Sequence, residues 1–327
     1  MIAFAVRRLL QAVAVLFAVA FAAFCMFQFM GDPVEGMLGQ EATALQRQEL
    51  IDRLGLDDPA PVQFVRFIGN ALSGDFGLSY RLGRPVSELI MERLPATLEL
   101  ATVSALIAMA LGVGLGVFTA INRGGTLANV VMTVSLIGVS LPTFLIGILL
   151  IYVFAVVLGW LPSFGRGETA DWIGWRSNLI TLDGWRAILL PAITLGLYQM
   201  TLIMRLVRAE MLEVLRQDYI RFARARGLTE RAINFSHALK NTLVPVITVA
   251  GLQFGSIIAF AIVTESVFQW PGVGLLFITS VNFVDVPVMA AYLLLVGAIF
   301  VVINLVVDML YFAIDPRLRV ERGGAGH

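Results

Sequence analysis

The chain is 327 residues long, 58% hydrophobic and only 14% charged, proportions that belong to a membrane protein and exclude a soluble globular domain. Its 23 basic and 23 acidic residues cancel, so the informative quantity is where each sign falls along the chain. A single cysteine, Cys25, excludes an internal disulfide.

Crossing a bilayer takes about 20 mainly apolar residues. Six stretches reach that length, at 9–30, 97–121, 130–159, 187–209, 243–268 and 288–313. Arg7 and Arg8 precede the first, as in a secretory signal, but its apolar core is too long and no clean small-x-small cleavage site follows. It reads as a retained anchor. Residues 31–96 carry ten acidic against six basic residues. Within them "LQRQELIDRLGL" and "VQFVRFIGNAL" predict two short amphipathic helices separated by "DDPAP", and "SGDFGLSYRLGRPV" predicts an irregular or hairpin turn. This segment forms a small external subdomain, either a docking surface or a packed cap over the helices.

In the second span, Gly112, Gly114 and Gly116 of "GVGLG" suit close helix packing better than a nucleotide loop. Pro142 and Pro191 are positioned to kink the third and fourth spans. Between those spans, Trp160, Trp172, Trp175 and Trp185 mark an outer interfacial loop with indoles at headgroup level. The fifth span ends in "TESVFQWPGVG", where Pro271 and Gly272 force a turn and "LLFI" re-enters the outer leaflet.

Basic residues mark the cytoplasmic side. Arg7, Arg8, Arg123, Arg317, Arg319 and Arg322 fall at one set of span ends, and the segment Arg205–Lys240 holds eight basic against four acidic residues. Both termini and the 210–242 loop are therefore expected in the cytoplasm. Helix rise then sets the depth of the ionisable groups. Glu265 lies about 33 Å beyond Leu243, near the outer surface and wetted by an external vestibule, and Asp308 about 30 Å beyond Val288, near the inner surface. Glu99 opens its span, so no charge sits at the bilayer centre, where ion-coupled carriers bind their cargo. Glu265, Asn304 and Asp308 are candidates for a gate or translocation path, with a structural role favoured for Glu265. His237 and His327 lie outside the spans, which leaves an intramembrane protease unsupported. The only lysine, Lys240, has no phosphate-binding glycine loop before it, so nucleotide energy would come from another subunit.

The densest basic run is "DYIRFARARGLTERAINFSHALKN", residues 218–241. It predicts a first helix, from "EVLRQDYIRFARAR", ended by Gly227 in a left-handed conformation, and a second capped by Thr229 that runs into the fifth span. Ile220, Ala223 and Gly227 form a small apolar face beside arginines, suited to the grip of a partner protein.

This loop resembles the cytoplasmic loop of ABC importer permeases, whose general form is E-A-A, three residues, Gly, then I-x-L-P. Aligned on Gly227, Arg221 stands at the acidic position, Phe222 and Ala223 at the alanines and "HALK", His237 to Lys240, at I-x-L-P, so only Ala223, Gly227 and Leu239 match. The departures are similar to the variant of the dipeptide and oligopeptide subfamily. "RRLL", "GDP", "LGLDDP", "SGDFGLS", "ATLEL", "SLPTF", "LPAITLG", "MLEVLRQDY", "TESVFQWPGVG", "NLVVDMLY" and "DPRLR" extend that likeness over nearly the whole chain.

The resemblance implies an all-α, six-helix type I importer permease in the bacterial inner membrane, without an activity or cofactor of its own. It implies as partners a second homologous permease, two cytoplasmic ATPase subunits that bind ATP and Mg, a periplasmic or lipid-anchored binding protein, and membrane lipid, with no nucleic acid. Asp218, Arg221, Ala223, Arg224, Gly227, Leu228, Thr229 and His237 would form the ATPase-coupling loop. Cargo would be di- or oligopeptides, with a nickel chelate, glutathione or another small solute as the same-fold alternative. An ATPase-independent channel or secondary carrier is the alternative of another class. The expected organisation is residues 1–30 for the N-terminus and first helix, 31–96 for a periplasmic subdomain, 97–314 for the core, and 315–327 for a cytoplasmic tail.

Overall fold

A computed structural model describes residues 2–29, 34, 43–54, 56–172 and 174–314. The expectations placed on "GDP" at 31–33 and on the tail from 315 lie outside these residues. Among the described residues, five helices are long and apolar enough to cross a membrane: Val6–Phe29, Val86–Ile121, Leu182–Val214, Glu230–Val267 and Val286–Met309. The expected third span is instead a pair of arms, Thr126–Ser140 and Thr143–Val157, meeting at 110°. Pro142 is the cause. It holds an extended backbone (φ −57°, ψ 136°) just before the second arm, offers no N–H to continue the first, and drives Leu141 out of the helical region. The second arm passes from α-helix into a π-helical stretch at Ile151–Val157. Pro191, by contrast, lies inside Leu182–Val214 without ending it.

We number the helices α1 (Ile2–Phe29), α2 (Ala44–Leu54), α3 (Ala60–Leu72), α4 (Val86–Ile121), α5 (Thr126–Ser140), α6 (Thr143–Leu150), α7 (Leu182–Val214), α8 (Asp218–Ala225), α9 (Glu230–Val267), α10 (Val273–Asn282) and α11 (Val286–Ile314). Strands β1 (Ala170–Trp172) and β2 (Trp175–Ser177) pair antiparallel, with Trp172 opposite Trp175. The chain divides into two compact units, Met1–Thr97 with Pro271–Val302 and Leu98–Trp270 with Ile303–His327.

In the first unit, phenylalanines dominate. Phe64 and Phe67 of α3 pack their rings on Phe17, Phe21, Phe24 and Phe27 of α1. The turn after α3 closes as a hairpin, with the Ser79 amide donating to Arg84 O at 3.0 Å. Its tip is held from across the unit by Asp285, a buried carboxylate that accepts from the Ser79 hydroxyl and, at 3.1 Å, from the Tyr80 amide. Val284, beside it, takes a left-handed φ of 53°, a strained conformation for a β-branched residue. Helix α10 is the short apolar helix after the Pro271–Gly272 turn. At ten residues it is too short to span, and its Phe277 stacks on Tyr292 at 4.4 Å.

The second unit packs through glycines. A Cβ at Gly112 would fall 2.8 Å from Ile203 Cγ2, and one at Gly116 2.6 Å from Val207 Cβ, so α4 and α7 touch nearly backbone to backbone. Gly114, two residues from each, faces open space. The close-packing role expected of "GVGLG" thus belongs to the pair spaced by four, which shares one helix face. Between α6 and α7, a compact loop carries the β1–β2 hairpin. Arg166 there reaches Glu99 of α4 at 2.5 Å, both side chains at most one-tenth exposed. Trp160, Trp172, Trp175 and Trp185 all stand exposed.

Candidate coupling surface

Helix α7 stops at Val214 because the next residues tighten into a turn, with the Arg216 amide donating to Glu213 O at 3.1 Å and the Gln217 amide to Val214 O at 3.0 Å. Helix α8 then starts at Asp218, whose carboxylate suits the positive end of the helix dipole. At its far end, the Gly227 amide donates to Arg224 O at 3.0 Å and the Leu228 amide to Ala223 O at 3.3 Å. That bonding pattern ends a helix through a left-handed residue, and Gly227 supplies it at φ 79°. The Thr229 hydroxyl accepts from the Ala232 amide at 3.3 Å, capping α9. Helix α9 contains a π-helical stretch, Ile233–Ala238, in which His237 is half-buried.

Two polar links brace this helix–turn–helix. Arg224 donates from Nε to Glu230 Oε1 at 2.7 Å and from its terminal nitrogen to Oε2 at 3.2 Å. The hydrogen bond to Glu230, followed by that carboxylate's charge, raises the pKa of the Arg224 guanidinium. Asn241 Nδ2 donates to the Tyr219 hydroxyl at 2.7 Å, tying α8 to the body of α9. Arg221 and Asp218 pair within α8 at 3.3 Å, fully at the surface.

The predicted apolar face of α8 is occupied. Ile220 and Ala223 are buried in one core with Val207 and Met211 of α7 and Ile233, Ala238 and Val246 of α9. Ala223 therefore faces this chain and not an external partner. Periodicity had located the face, and the covering surface came from residues near and far in sequence. What α8 and its turn expose is the opposite side: Tyr219, Phe222, Leu228 and the arginines at 221, 224 and 226, with Phe235 of α9 nearby. Phe222 is 64% exposed and Arg226 lies over its ring at 5.7 Å, a cation–π contact. Sequence reading missed these aromatics, although their offset of two from Ile220 puts Phe222 on the far face of a helix.

The three gate candidates do not converge. Gly251 of α9 packs on Val307 of α11, where a Cβ would fall 2.6 Å from Val307 Cγ2. This sets Asp308 level with Gly251, about 21 Å along α9 from Glu265. Glu265 was expected to be wetted, but it is completely buried. Helix rise locates a residue along the axis and says nothing of what closes over it. Close by, Phe268 and Trp270 are also buried, the Trp270 amide donates to Glu265 O at 2.8 Å, and the Gly165 amide donates to Phe268 O at 2.9 Å. Asn304 and Asp308, one turn apart on α11, are half-buried.

Residues 112–320 match the family of binding-protein-dependent transport system inner membrane components, and residues 1–101 match the N-terminal region of such components. The chain is 39% identical to the dipeptide transport system permease protein DppB of Alkalihalophilus pseudofirmus and to the di/tripeptide transport system permease protein DppB of Pseudomonas aeruginosa. It is also 39% identical to the glutathione transport system permease protein GsiC of Escherichia coli K12. Each of these alignments covers 98% of this chain and all of the relative. In fold it is similar to a chain of the MetNI methionine ABC transporter in an inward-facing conformation, with a TM-score of 0.55 at 20% identity, over 69% of this chain and 96% of that one. The chain belongs to the family of binding-protein-dependent transport system inner membrane components.

Proposed function

From that membership, we propose that this chain is the permease subunit of an ABC importer for small peptides. It lines the path together with a homologous permease and is driven by two ATPase subunits that bind ATP and Mg. A periplasmic or lipid-anchored binding protein delivers the cargo. Three relatives of equal identity and full coverage carry the substrate reading: one named for dipeptides, one for di- and tripeptides, one for glutathione, itself a tripeptide in composition. Shared by all three is a short chain of amide bonds between charged ends.

The observation that supports energy coupling is the construction of α8. A helix whose inner face is buried against both α7 and α9 moves those two helices when it is pushed. Its outward face of Phe222, Tyr219, Leu228 and arginines is the part available to an ATPase. In this reading Asp218, Arg221, Arg224, Gly227, Leu228 and Thr229 shape or present that surface, and Ala223 and His237 support it from within. Glu265 acts in packing, while Asn304 and Asp308 lie toward the path. The 210–242 loop and both termini are cytoplasmic, and residues 31–96 are on the opposite side.

Reconstitution with the neighbouring subunits, followed by uptake of labelled di- to pentapeptides and glutathione, tests the function. Uptake without ATPase subunits would overturn it in favour of a channel or carrier. Orientation is tested with an impermeant thiol reagent on intact cells in a Cys25→Ser background. Asp57→Cys should label and Glu230→Cys should not, and the reverse pattern would overturn the assignment.

A further inference from the structure

We propose that α9 is a hinged lever: the motion delivered by α8 enters it as a bend at Pro245, so that residues 230–244 swing while the rest of the helix stays in place. The inference rests on the coupling role given to α8 and adds which part of the permease yields to it. Helices bend where the ladder of i→i−4 hydrogen bonds is broken, at prolines and at π-helical turns. Helix α9 holds both. In its π-helical stretch, Ile233–Ala238, the turn is one residue wider than in an α-helix, and the stretch closes with the Leu239 amide donating to Asn234 O, five residues back. Pro245 lies inside the helix farther on. Having no N–H, it withholds from Asn241 O the donor that an α-helix would supply.

Between the two breaks lie residues 239–244, and α8 holds this piece. The Tyr219 hydroxyl of α8 accepts from Asn241 Nδ2 at 2.7 Å. Ile220 and Ala223 share their buried core with Ile233, Ala238 and, beside the proline itself, Val246. Past Pro245 the helix is clamped instead. A Cβ at Gly251 would fall 2.6 Å from Val307 Cγ2, so α9 and α11 interlock there. The other neighbour of α8 is built in the opposite way. From Ala192 to its end at Val214, α7 runs as α-helix without a proline or a π-helical turn. Gly112 and Gly116 of α4 meet its Ile203 and Val207 too closely to admit a Cβ. A push on α8 therefore meets a stiff, clamped helix on one side and a doubly interrupted one on the other. The interrupted helix yields, and it yields between the grip of α8 and the Gly251 clamp, where Pro245 stands.

The test uses the complete transporter and reads basal ATP hydrolysis, its stimulation by loaded binding protein, and the thermal unfolding temperature. Pro245→Ala restores the N–H with the strongest helix former. Pro245→Gly restores it too but keeps the backbone pliable. A hinge ranks the two variants against their structural merit. Pro245→Ala should unfold at the same or a higher temperature, with basal hydrolysis unchanged, and yet lose most of the stimulation. Pro245→Gly should be the less stable of the two and keep more of the stimulation. Full stimulation in Pro245→Ala, or more of it there than in Pro245→Gly, would overturn the hinge, because a proline that only fills space is better replaced by alanine. Gly227→Val separates this outcome from the coupling reading. If it abolishes stimulation while Pro245→Ala does not, α8 couples through a rigid α9 and the hinge alone falls. If it transports peptide normally, the coupling reading falls and the hinge with it.

Discussion

Two loops at opposite ends of α7 each contain an arginine paired with a glutamate, and the two pairs differ in what surrounds them. Arg224 and Glu230 meet through two hydrogen bonds, at 2.7 and 3.2 Å, with side chains 48% and 62% exposed. Arg166 meets Glu99 through one, at 2.5 Å, with side chains 10% and 5% exposed. Glu99 Oε1 and Arg166 Nε make no hydrogen bond among the described residues. The better geometry thus belongs to the pair that matters less to stability, because water screens an exposed pair whatever its alignment. Burial sets the scale. In the 215–229 turn the shape comes from apolar burial and a left-handed glycine, and its arginine pairs stay at the surface. In the 160–181 loop, charge itself anchors the chain.

The largest effect should follow from breaking the enclosed pair. Arg166→Ala leaves the Glu99 carboxylate buried without its countercharge, a loss of about 3–5 kcal/mol, seen as a fall in the thermal unfolding temperature of the purified complex. Replacing both partners by methionine should recover most of it, since no charge is then stranded. A double variant as unstable as the single one would show that the loop depends on other contacts. Those contacts are the Arg166 donation to Arg176 O at 3.0 Å and the Asn178 donation to Gly184 O at 3.0 Å.

Gly227→Val comes next. No heavy atom stands within 4 Å of a Cβ added there, so the whole internal cost is that of a side chain at φ 79°, about 1–2 kcal/mol. The spans should still insert and pair. Stimulation of ATP hydrolysis by loaded binding protein, and peptide uptake with it, should be lost, because α8 can no longer end where α9 begins. Gly227→Asn tolerates the conformation better and should retain more. Normal transport by the valine variant would reduce the loop to a connector.

These two sites also divide what sequence can disclose from what it cannot. Gly227 was legible because its signal is local: a basic helical run, one glycine, then a capping threonine. The five long spans were legible from length and hydropathy. The third was legible in length and in its break at Pro142, but not in the size of the bend, because a proline in an apolar run marks a kink without reporting that the chain turns by 110° there. Ala223 was correctly placed on an apolar face, yet periodicity cannot name the cover, which proved to be Met211, Ile233 and Val246 among others. Glu99 and Arg166 are 67 residues apart, and Asp285 and Ser79 are 206 apart. Nothing in the intervening sequence marks them as partners, since each pairing is made by helix packing. Glu265 shows the same limit, with depth along α9 readable and enclosure not.

A smaller change isolates the start of α9. Thr229→Ala removes the hydroxyl that accepts from the Ala232 amide, at a cost of about 1 kcal/mol. Fraying of that turn should slow uptake without abolishing it. A defect as deep as that of Gly227→Val would mean that the threonine hydroxyl itself meets a partner.

The smallest effect on stability, and the sharpest question, belongs to Arg224 and Glu230. Removing either by Arg224→Gln or Glu230→Gln should leave the thermal unfolding temperature of the complex unchanged, because the pair is exposed and already screened by salt. If the pair is only a clip across the Gly227 turn, stimulated ATP hydrolysis should also survive, since the buried Ile220 and Ala223 still hold α8 in place. If stimulation falls while stability holds, exchanging the two charges separates the causes. Arg224→Glu with Glu230→Arg restores the clip but moves the positive charge from the end of α8 to the start of α9. Recovered stimulation would assign the loss to the clip. A persistent loss would mean that the partner requires a cation at position 224, and the contrast with Arg166 would then be one of purpose, with one arginine spent inside the chain and the other presented outside it.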